Sequence, residues 1–408
     1  MNEAPRSSTF DVVIAGGGMV GSTLAIALAP LGLRIALVEA VARDAPSQPS
    51  FDERSTALSR SSQRLFDALG LWPEIAAAAT PIRAIRISDR GRFGFSRIDA
   101  DEQGVEALGY VAVNRVLGQV LQSAVAGCPG ITTLCPARVV AADATSEGID
   151  VGLDGDCTLT ARLLVAADGA RSGVRDLLGI TATERDYGQQ AIIGNVRPGV
   201  PHDNVAWERF TGDGPLALLP FGPDRAAFVW TVAARDAGRV LSLPDASFLA
   251  EFQERFGMRL GRFTAISERA AYPLRLSKAL RIHGPRAVLV GNAAHGLHPV
   301  AAQGFNLGLR DVAALCDCVA DAGDAGQDIG NSLVCERYAD WRRSDQRKLV
   351  ALTDGLVSVF GAPGTAGALR DIGMLGFDLV PGLRTEFARH AMGLAGRLPR
   401  LSRGVPVR

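Results

Sequence analysis

The strongest constraint on this chain is the stretch from Asp11 to Leu28, DVVIAGGGMVGSTLAIAL. A short apolar run, Val12-Val13-Ile14-Ala15, ends in Gly16, Gly17 and Gly18, and Gly21 opens an apolar helical segment. That is G-x-G-x-x-G after a strand and at the start of a helix, the setting in which the motif binds a dinucleotide. Gly16 is read as the tight turn, Gly18 as the point of close approach by a pyrophosphate, and Gly21 as the helix–strand contact. Met19 and Val20 lie between them, where the first helical N–H groups and the positive dipole end face the phosphates. About 20 residues further on, the second strand, Arg34 to Val38, delivers Glu39, placed to accept hydrogen bonds from a ribose diol. A merely structural glycine turn leaves Glu39 unexplained. The expected fold class is α/β, with a Rossmann-like dinucleotide domain.

With 408 residues, 47% of them hydrophobic, the chain can build two or three domains with substantial cores. Lysine plus arginine (43) balances aspartate plus glutamate (43), so charge gives no case for nucleic acid or an anionic membrane. The start MNEAPRSSTF lacks the apolar region of a signal peptide, and no apolar run reaches the ~18 residues of a spanning helix. The six cysteines are scattered, as expected of reduced thiols in a cytoplasmic protein. Cys316 and Cys318, two apart on a predicted helix, make a poor metal pair.

Beyond Glu39 the chain passes a polar loop and FDERSTALS, then a predicted helix from Ser59 to Leu69 with Leu65, Phe66 and Leu69 on one face. Arg54 is suited to a phosphate or a flavin edge, and equally to a solvated loop. Ile82 to Phe95 reads as a strand pair, and Val113 to Val125 as an amphipathic helix with Asn114 and Arg115 at its start. A second landmark, RLLVAADGARSGVR from Arg162 to Arg175, is a buried strand ended by Asp168-Gly169. A D-G pair alone is a common turn; at the carboxyl end of a parallel strand it lies where ligands bind.

Ala191 to Tyr272 reads as antiparallel strands, with a hairpin from LALLPF to AAFVWTV. Phe228 and Trp230 share one face of it by the period of two, as core residues or as walls of a substrate pocket together with Pro220. The third landmark is RAVLVGNAAHGLHPVAAQGFNLGLRD, Arg286 to Asp311, in which a buried strand ends at Gly291-Asn292 and a helix starts near Gly304 or Phe305. That helix N-terminus favours negative charge, which suits reduced flavin better than nicotinamide. His295 and His298 lack further ligands nearby for zinc, so no metal is assigned and both read as loop histidines near the ring. From Tyr338 the chain is helical and arginine-rich, with Asp345, Arg347 and Lys348 as a solvated face. The apolar positions of Leu349 to Phe360 and of Met374 to Leu383 are left either to cap the core or to lie on a membrane.

These three landmarks in this order resemble the single-component FAD-dependent aromatic hydroxylases of the para-hydroxybenzoate hydroxylase type, over nearly the whole chain. FDERSTALS, ISDRGRFGF, ERFTGDGPLALLPF and LVGNAAHGLHPVAAQGFNLGLRD are most similar to the ubiquinone-biosynthesis branch that hydroxylates 2-polyprenyl-6-methoxyphenol. The resemblance implies that Gly16, Gly18, Met19, Val20, Gly21 and Glu39 hold the ADP half of FAD, with Arg54 and Arg115 contributing. Asp168 and Gly169 then belong to a motif shared between FAD and NAD(P)H. Asn292 stands where the wider family has Asp, a change that exchanges a pure acceptor for a group that also donates. Pro299 and Gly304, Phe305, Asn306 and Leu307 would lie against the flavin ring, with His298 and Pro299 near the substrate.

The implied division is an FAD-binding domain from 1–80, 101–180 and 273–345, a substrate domain from 81–100 and 181–272, and a helical C-terminal region from 346–408. The implied chemistry is NAD(P)H reduction of the flavin and oxygen transfer to a phenol through a C4a-hydroperoxide, so no catalytic side chain is assigned. Expected partners are O2, a lipophilic phenol and other ubiquinone-biosynthesis proteins, at the inner face of a membrane that the enzyme visits peripherally. A homo-oligomer stays open. A disulfide reductase is disfavoured by the absence of a paired redox cysteine motif and of a second glycine fingerprint. A hydroxylase of another ring position, or of another aromatic substrate, remains an alternative, as does a flavin-binding subunit without turnover.

Overall fold

The computed structural model describes residues 7–42, 54–90, 95–212, 214–296, 303–345 and 381–408. Strand β1 (Ser7–Ala15) carries Val12, Val13 and Ile14 with no exposed surface, as a central strand covered on both faces requires. On one side it pairs with β2 (Ile35–Val38), which pairs with β8 (Ile131–Leu134). On the other it pairs with β11 (Cys157–Ala166), which pairs with β19 (Ala287–Leu289). All five are parallel, so their carboxyl ends share one edge. Antiparallel additions are β9 (Val139–Ala144) and β10 (Ile149–Leu153) beside β11, and β18 (His283–Gly284) beside β19. Helices α1 (Met19–Leu28), α4 (Asn114–Ala126) and α8 (Gln303–Asp324) share the core of this sheet.

A small sheet of β3 (Ser55–Ser59), β7 (Gly109–Val113) and β4 (Thr80–Ile82) bridges to the second layer. The Ser59 hydroxyl caps α2 (Arg60–Ala68) by accepting from the Ser62 N–H, and α3 (Trp72–Ala76) follows. Leu65 and Phe66 of α2 are buried, as their spacing predicts.

The large sheet runs β20 (His295–Gly296), β17 (Ala270–Ala279), β12 (Ala182–Arg197), β15 (Arg225–Ala233), β14 (Gly214–Phe221), β13 (Val205–Thr211), β5 (Ala84–Asp89) and β6 (Phe95–Asp99). The short β16 (Ala265–Ile266) joins β12. Every pair is antiparallel except β13 with β5. The region from Ala191 to Tyr272, expected as antiparallel strands, also holds two helices that the sequence reading did not include, α6 (Ala234–Leu241) and α7 (Asp245–Phe256). Phe248, Phe252 and Phe256 recur every four residues and form the buried face of α7.

Helix α5 (Gly173–Leu177) follows the second landmark, α9 spans 332–345, and α10 (Pro381–Ala391) packs Ala388, with Met392 just after the helix, against Ile98 of β6. Leu349 to Phe360 and Met374 to Val380 lie outside the described residues. Cys316 and Cys318 on α8 and Cys335 on α9 have no exposed surface. Burial pushes the Cys318 thiol up to about 12 and that of Cys335 to about 11.

Candidate active site

Four of the parallel strands end side by side, and each end carries a residue singled out in the sequence. Gly16 follows β1, Glu39 follows β2, Asp168 follows β11 and Asn292 follows β19. The order places β1 and β11 at the point where the chain switches sides of the sheet, where ligands of such folds bind. Gly16 has φ +106°, and a Cβ there would lie 2.5 Å from the Ala167 carbonyl oxygen. A Cβ on Gly21 would lie 1.9 Å from the Gly16 oxygen, so only glycine lets α1 meet the turn. Helix α1 begins after Gly18 with no side-chain cap, leaving its first N–H groups for an anion. Val20 is wedged between Gly291 and Gly308, with Met19 beside it at the helix start.

The Glu39 carboxylate is oriented from within the loop it serves. Its Oε2 accepts from the Gly17 N–H at 2.7 Å and its Oε1 from the Val41 N–H at 2.8 Å. An ionised carboxylate keeps further lone pairs for a diol. Asp168 accepts from the Ser172 hydroxyl and from the Val174 N–H, so it also caps α5, while Gly169 takes φ +86°.

Two buried clamps hold these turns, and neither is read from the sequence. Arg175, 6% exposed, donates to the carbonyls of Ala170 at 3.2 Å and Ala293 at 3.3 Å, tying the second landmark to the third. Asp311 of α8 is wholly buried; its Oδ2 accepts from the Gly291 N–H at 3.0 Å and contacts His295 Nε2 at 2.7 Å. Its Oδ1 accepts from Arg342 Nε at 2.6 Å, and Arg342 also reaches Asp345, which Arg310 shares. Burial alone raises the Asp311 carboxyl, but His295 and Arg342 outweigh it and hold it below the usual range. An aspartate inside the apolar run LGLRDVAALC is the signal that points to this network.

Several expected site residues take other roles. His295 is 1% exposed and bound to Asp311, not a loop histidine near an open ring site, and Asp345 is an ion-pair partner, not part of a solvated face. Asn306 is 3% exposed: its Oδ1 accepts from the Ser59 N–H and the Ser62 hydroxyl, and its Nδ2 donates to the Ala57 carbonyl. It staples α8 to β3 and α2. Leu307 points into the core, whereas Gly304 has open space at its Cα and Phe305 is half-buried. His298 and Pro299 lie outside the described residues.

Phe228 (1% exposed) and Trp230 (0%) are core residues, closed off from solvent among the described residues. Their rings pack against Phe248 and Phe252 of α7, with centroids 5.0–5.8 Å apart. Pro220, opposite Ala226, is buried on the same face. The other face of the sheet meets the bridging sheet, where Ala206, Phe221 and Ala227 pack with Ile82 and Val111. Along it Ile193, Val229, Ala217, Glu208 and Ile87 form one half-buried row across five strands. Arg54 stands 4.9 Å over the Tyr272 ring and joins β3 to the sheet. Arg115 is exposed at the start of α4, next to Asn114, whose N–H donates to the Arg54 carbonyl.

The glycine cradle, the uncapped helix and the fixed Glu39 fit the ADP half of FAD. Comparison with known proteins agrees. Residues 9–343 match the family model described as FAD binding domain. The chain is 39% identical to ubiquinone hydroxylase UbiL of Rhodospirillum rubrum over 97% of its own length and 93% of that protein. It is 32% identical to 3-demethoxyubiquinol 3-hydroxylase of Escherichia coli over 94% of its length and 98% of that protein. Among solved structures, p-nitrophenol 4-monooxygenase PnpA from Pseudomonas putida shares the fold at TM-score 0.76 and 18% identity, covering 96% of this chain and 99% of that one. The chain therefore belongs to the FAD-binding-domain family and, within it, to the aromatic-ring hydroxylases of the ubiquinone-biosynthesis branch.

Proposed function

We propose that this enzyme hydroxylates a prenylated phenol of ubiquinone biosynthesis, 2-polyprenyl-6-methoxyphenol, at the flavin side of the large sheet. The observation that carries the reading is the half-buried, mostly apolar row of Ile193, Val229, Ala217 and Ile87 on the sheet face opposite α7. Such a face removes a lipophilic ring from water without asking it for many hydrogen bonds.

In this reading the loop from Gly16 to Gly21 and the start of α1 bind the pyrophosphate, and Glu39 takes the ribose. Asp168, Gly169 and exposed Asn292 line the rest of the edge, with Arg54 and Arg115 beside it, and Gly304 and Phe305 lie toward the ring. Bound FAD, reduced by NAD(P)H, supplies the O2 activation that aromatic hydroxylation needs. The protein orients the phenol and keeps water out. Its place is the cytoplasmic face of a membrane, where it collects its lipid substrate peripherally; among the described residues no helix is long and apolar enough to cross one.

A second ring position has a specific observation in its favour, since one relative is named for 3-hydroxylation of demethoxyubiquinol. Identifying the quinone intermediate that accumulates in cells lacking this protein separates the two. Purified holoenzyme should oxidise NAD(P)H faster when the phenol is added and yield the hydroxylated ring. Tightly bound NAD without flavin, or no stimulation by any such phenol, defeats the proposal.

A further inference from the structure

Glu208 is the one acidic side chain in the half-buried row. On β13 it pairs with Ala217 of β14 and Ile87 of β5, so its side chain leaves the same face as theirs. Its neighbours confirm the direction. Trp207 points the other way and stacks edge-on with Phe256 of α7, ring centroids 6.1 Å apart. Ala206, on the Glu208 face, packs with Ile82 and Val111 of the bridging sheet. Among the described residues Glu208 has no hydrogen-bond or ion-pair partner, and burial pushes its carboxyl up to about 7. A half-buried carboxyl set in an apolar row, with no partner from the protein, leaves its oxygens open to a ligand that completes it.

We propose that the Glu208 carboxylate accepts the hydrogen bond of the substrate's phenolic hydroxyl, fixing which ring carbon faces the flavin. This rests on the phenol-hydroxylase reading above. A hydrogen bond from the hydroxyl to a carboxylate is charge-assisted, and it moves electron density into the ring that must accept an electrophilic oxygen. Only the ionised acid can accept in this way from both oxygens.

The groups around Glu208 leave its titration to burial. The row contributes Ala217, Val229 and Ile193, and beyond Ile87 comes Ser96 of β6. Charged side chains flank the row: Arg86, paired with Asp99, and Asp89 on β5, Arg90 at its end, and Arg209 next on β13. Arg90 is bonded to Glu254, and Arg209 answers to Arg259, Arg90 and Asp89. From the bridging sheet the face meets Ala57, Ile82, Val111 and Val113, and from the C-terminal region Ala388 of α10 and Met392 just after it. Tyr272 and Arg54 stand at the far end.

The test uses the FAD-loaded enzyme with 2-farnesyl-6-methoxyphenol in detergent micelles. In the wild type, kcat/KM for the phenol should rise with pH through about 7, as the acceptor ionises. Glu208→Gln should flatten that rise and lower kcat/KM above it by about tenfold to a hundredfold, the loss of a charge-assisted hydrogen bond. FAD content should be unchanged, and more NAD(P)H should be lost to hydrogen peroxide per product formed. Glu208→Asp should keep the inflection with a smaller amplitude. The melting temperature of Glu208→Gln should not fall, since an unpartnered charge is removed. An unchanged pH profile and product yield overturns the inference, and so does a variant that melts lower or loses FAD, because Glu208 is then structural. A wild type that shows no phenol-stimulated NAD(P)H oxidation refutes the functional reading itself, and this inference falls with it.

Discussion

Replacing Asp311 with Asn changes one charge and almost no volume, and it probes how the third landmark is held. The carboxylate serves three groups: the Gly291 N–H, His295 and Arg342. Arg342 has no exposed surface, so losing its partner leaves a cation in the interior. Breaking a buried pair costs about 3–5 kcal/mol. Arg342 keeps Asp345 at 2.5 Å, but Arg310 claims the same oxygen at 2.6 Å, which sets the expectation at the lower end, about 3 kcal/mol. Unfolding entropy of about 2.1 cal/mol/K per residue over 408 residues converts this to a fall in melting temperature of about 3–4 °C. The assay is thermal unfolding by circular dichroism, with and without added FAD, plus flavin content by absorbance. Because Asn292 sits on the turn that Asp311 anchors, the stabilisation by FAD should shrink as well. A melting temperature within about 1 °C of wild type, with full flavin content, refutes the reasoning and makes the network dispensable.

Gly21→Ala puts a carbon 1.9 Å from the Gly16 oxygen; α1 must shift, costing about 1–3 kcal/mol or more, and FAD retention on gel filtration should drop sharply. Phe228→Leu should lower the melting temperature by an amount near 1–2 kcal/mol, roughly, while leaving KM for the phenol unchanged; a raised KM with normal stability would return Phe228 to the pocket. Glu208→Gln should stabilise the fold in one pH window. The folded carboxyl titrates near 7 against an unfolded value of 4.5, so the wild type carries no penalty at acid pH, a growing one between those values and the full one above. The advantage of the variant should reach at most about 3 kcal/mol at alkaline pH, read as denaturant midpoints; a constant difference at every pH contradicts the assigned titration.

The ends of the parallel strands were legible because backbone geometry writes itself into residue type. A turn with φ +106° at Gly16 and a 1.9 Å approach at Gly21 admit only glycine, and the buried runs beside them read as strands. Elements joined by long-range pairing were harder. Nothing local to Asn306 says that its amide will meet Ser59 and Ser62, and nothing near His295 announces Asp311 and Arg342. Helix α7 is written in its phenylalanines, which keep a helical period inside a region otherwise dominated by strands. Phe228 and Trp230 show the remaining difficulty. Alternation says that two residues share a face, but which face meets a helix and which meets a ligand is decided by elements elsewhere in the chain.

The buried cysteines bear on how such an enzyme survives its own chemistry. A protein that brings O2 to reduced flavin makes peroxide whenever a turnover misfires, and the species that peroxide attacks is the thiolate. Cys316, Cys318 and Cys335 stand in the helices behind the flavin sheet, where burial keeps each one protonated and out of reach of solvent. The same dense packing that supports the cofactor edge therefore shields these three thiols from self-inflicted oxidation.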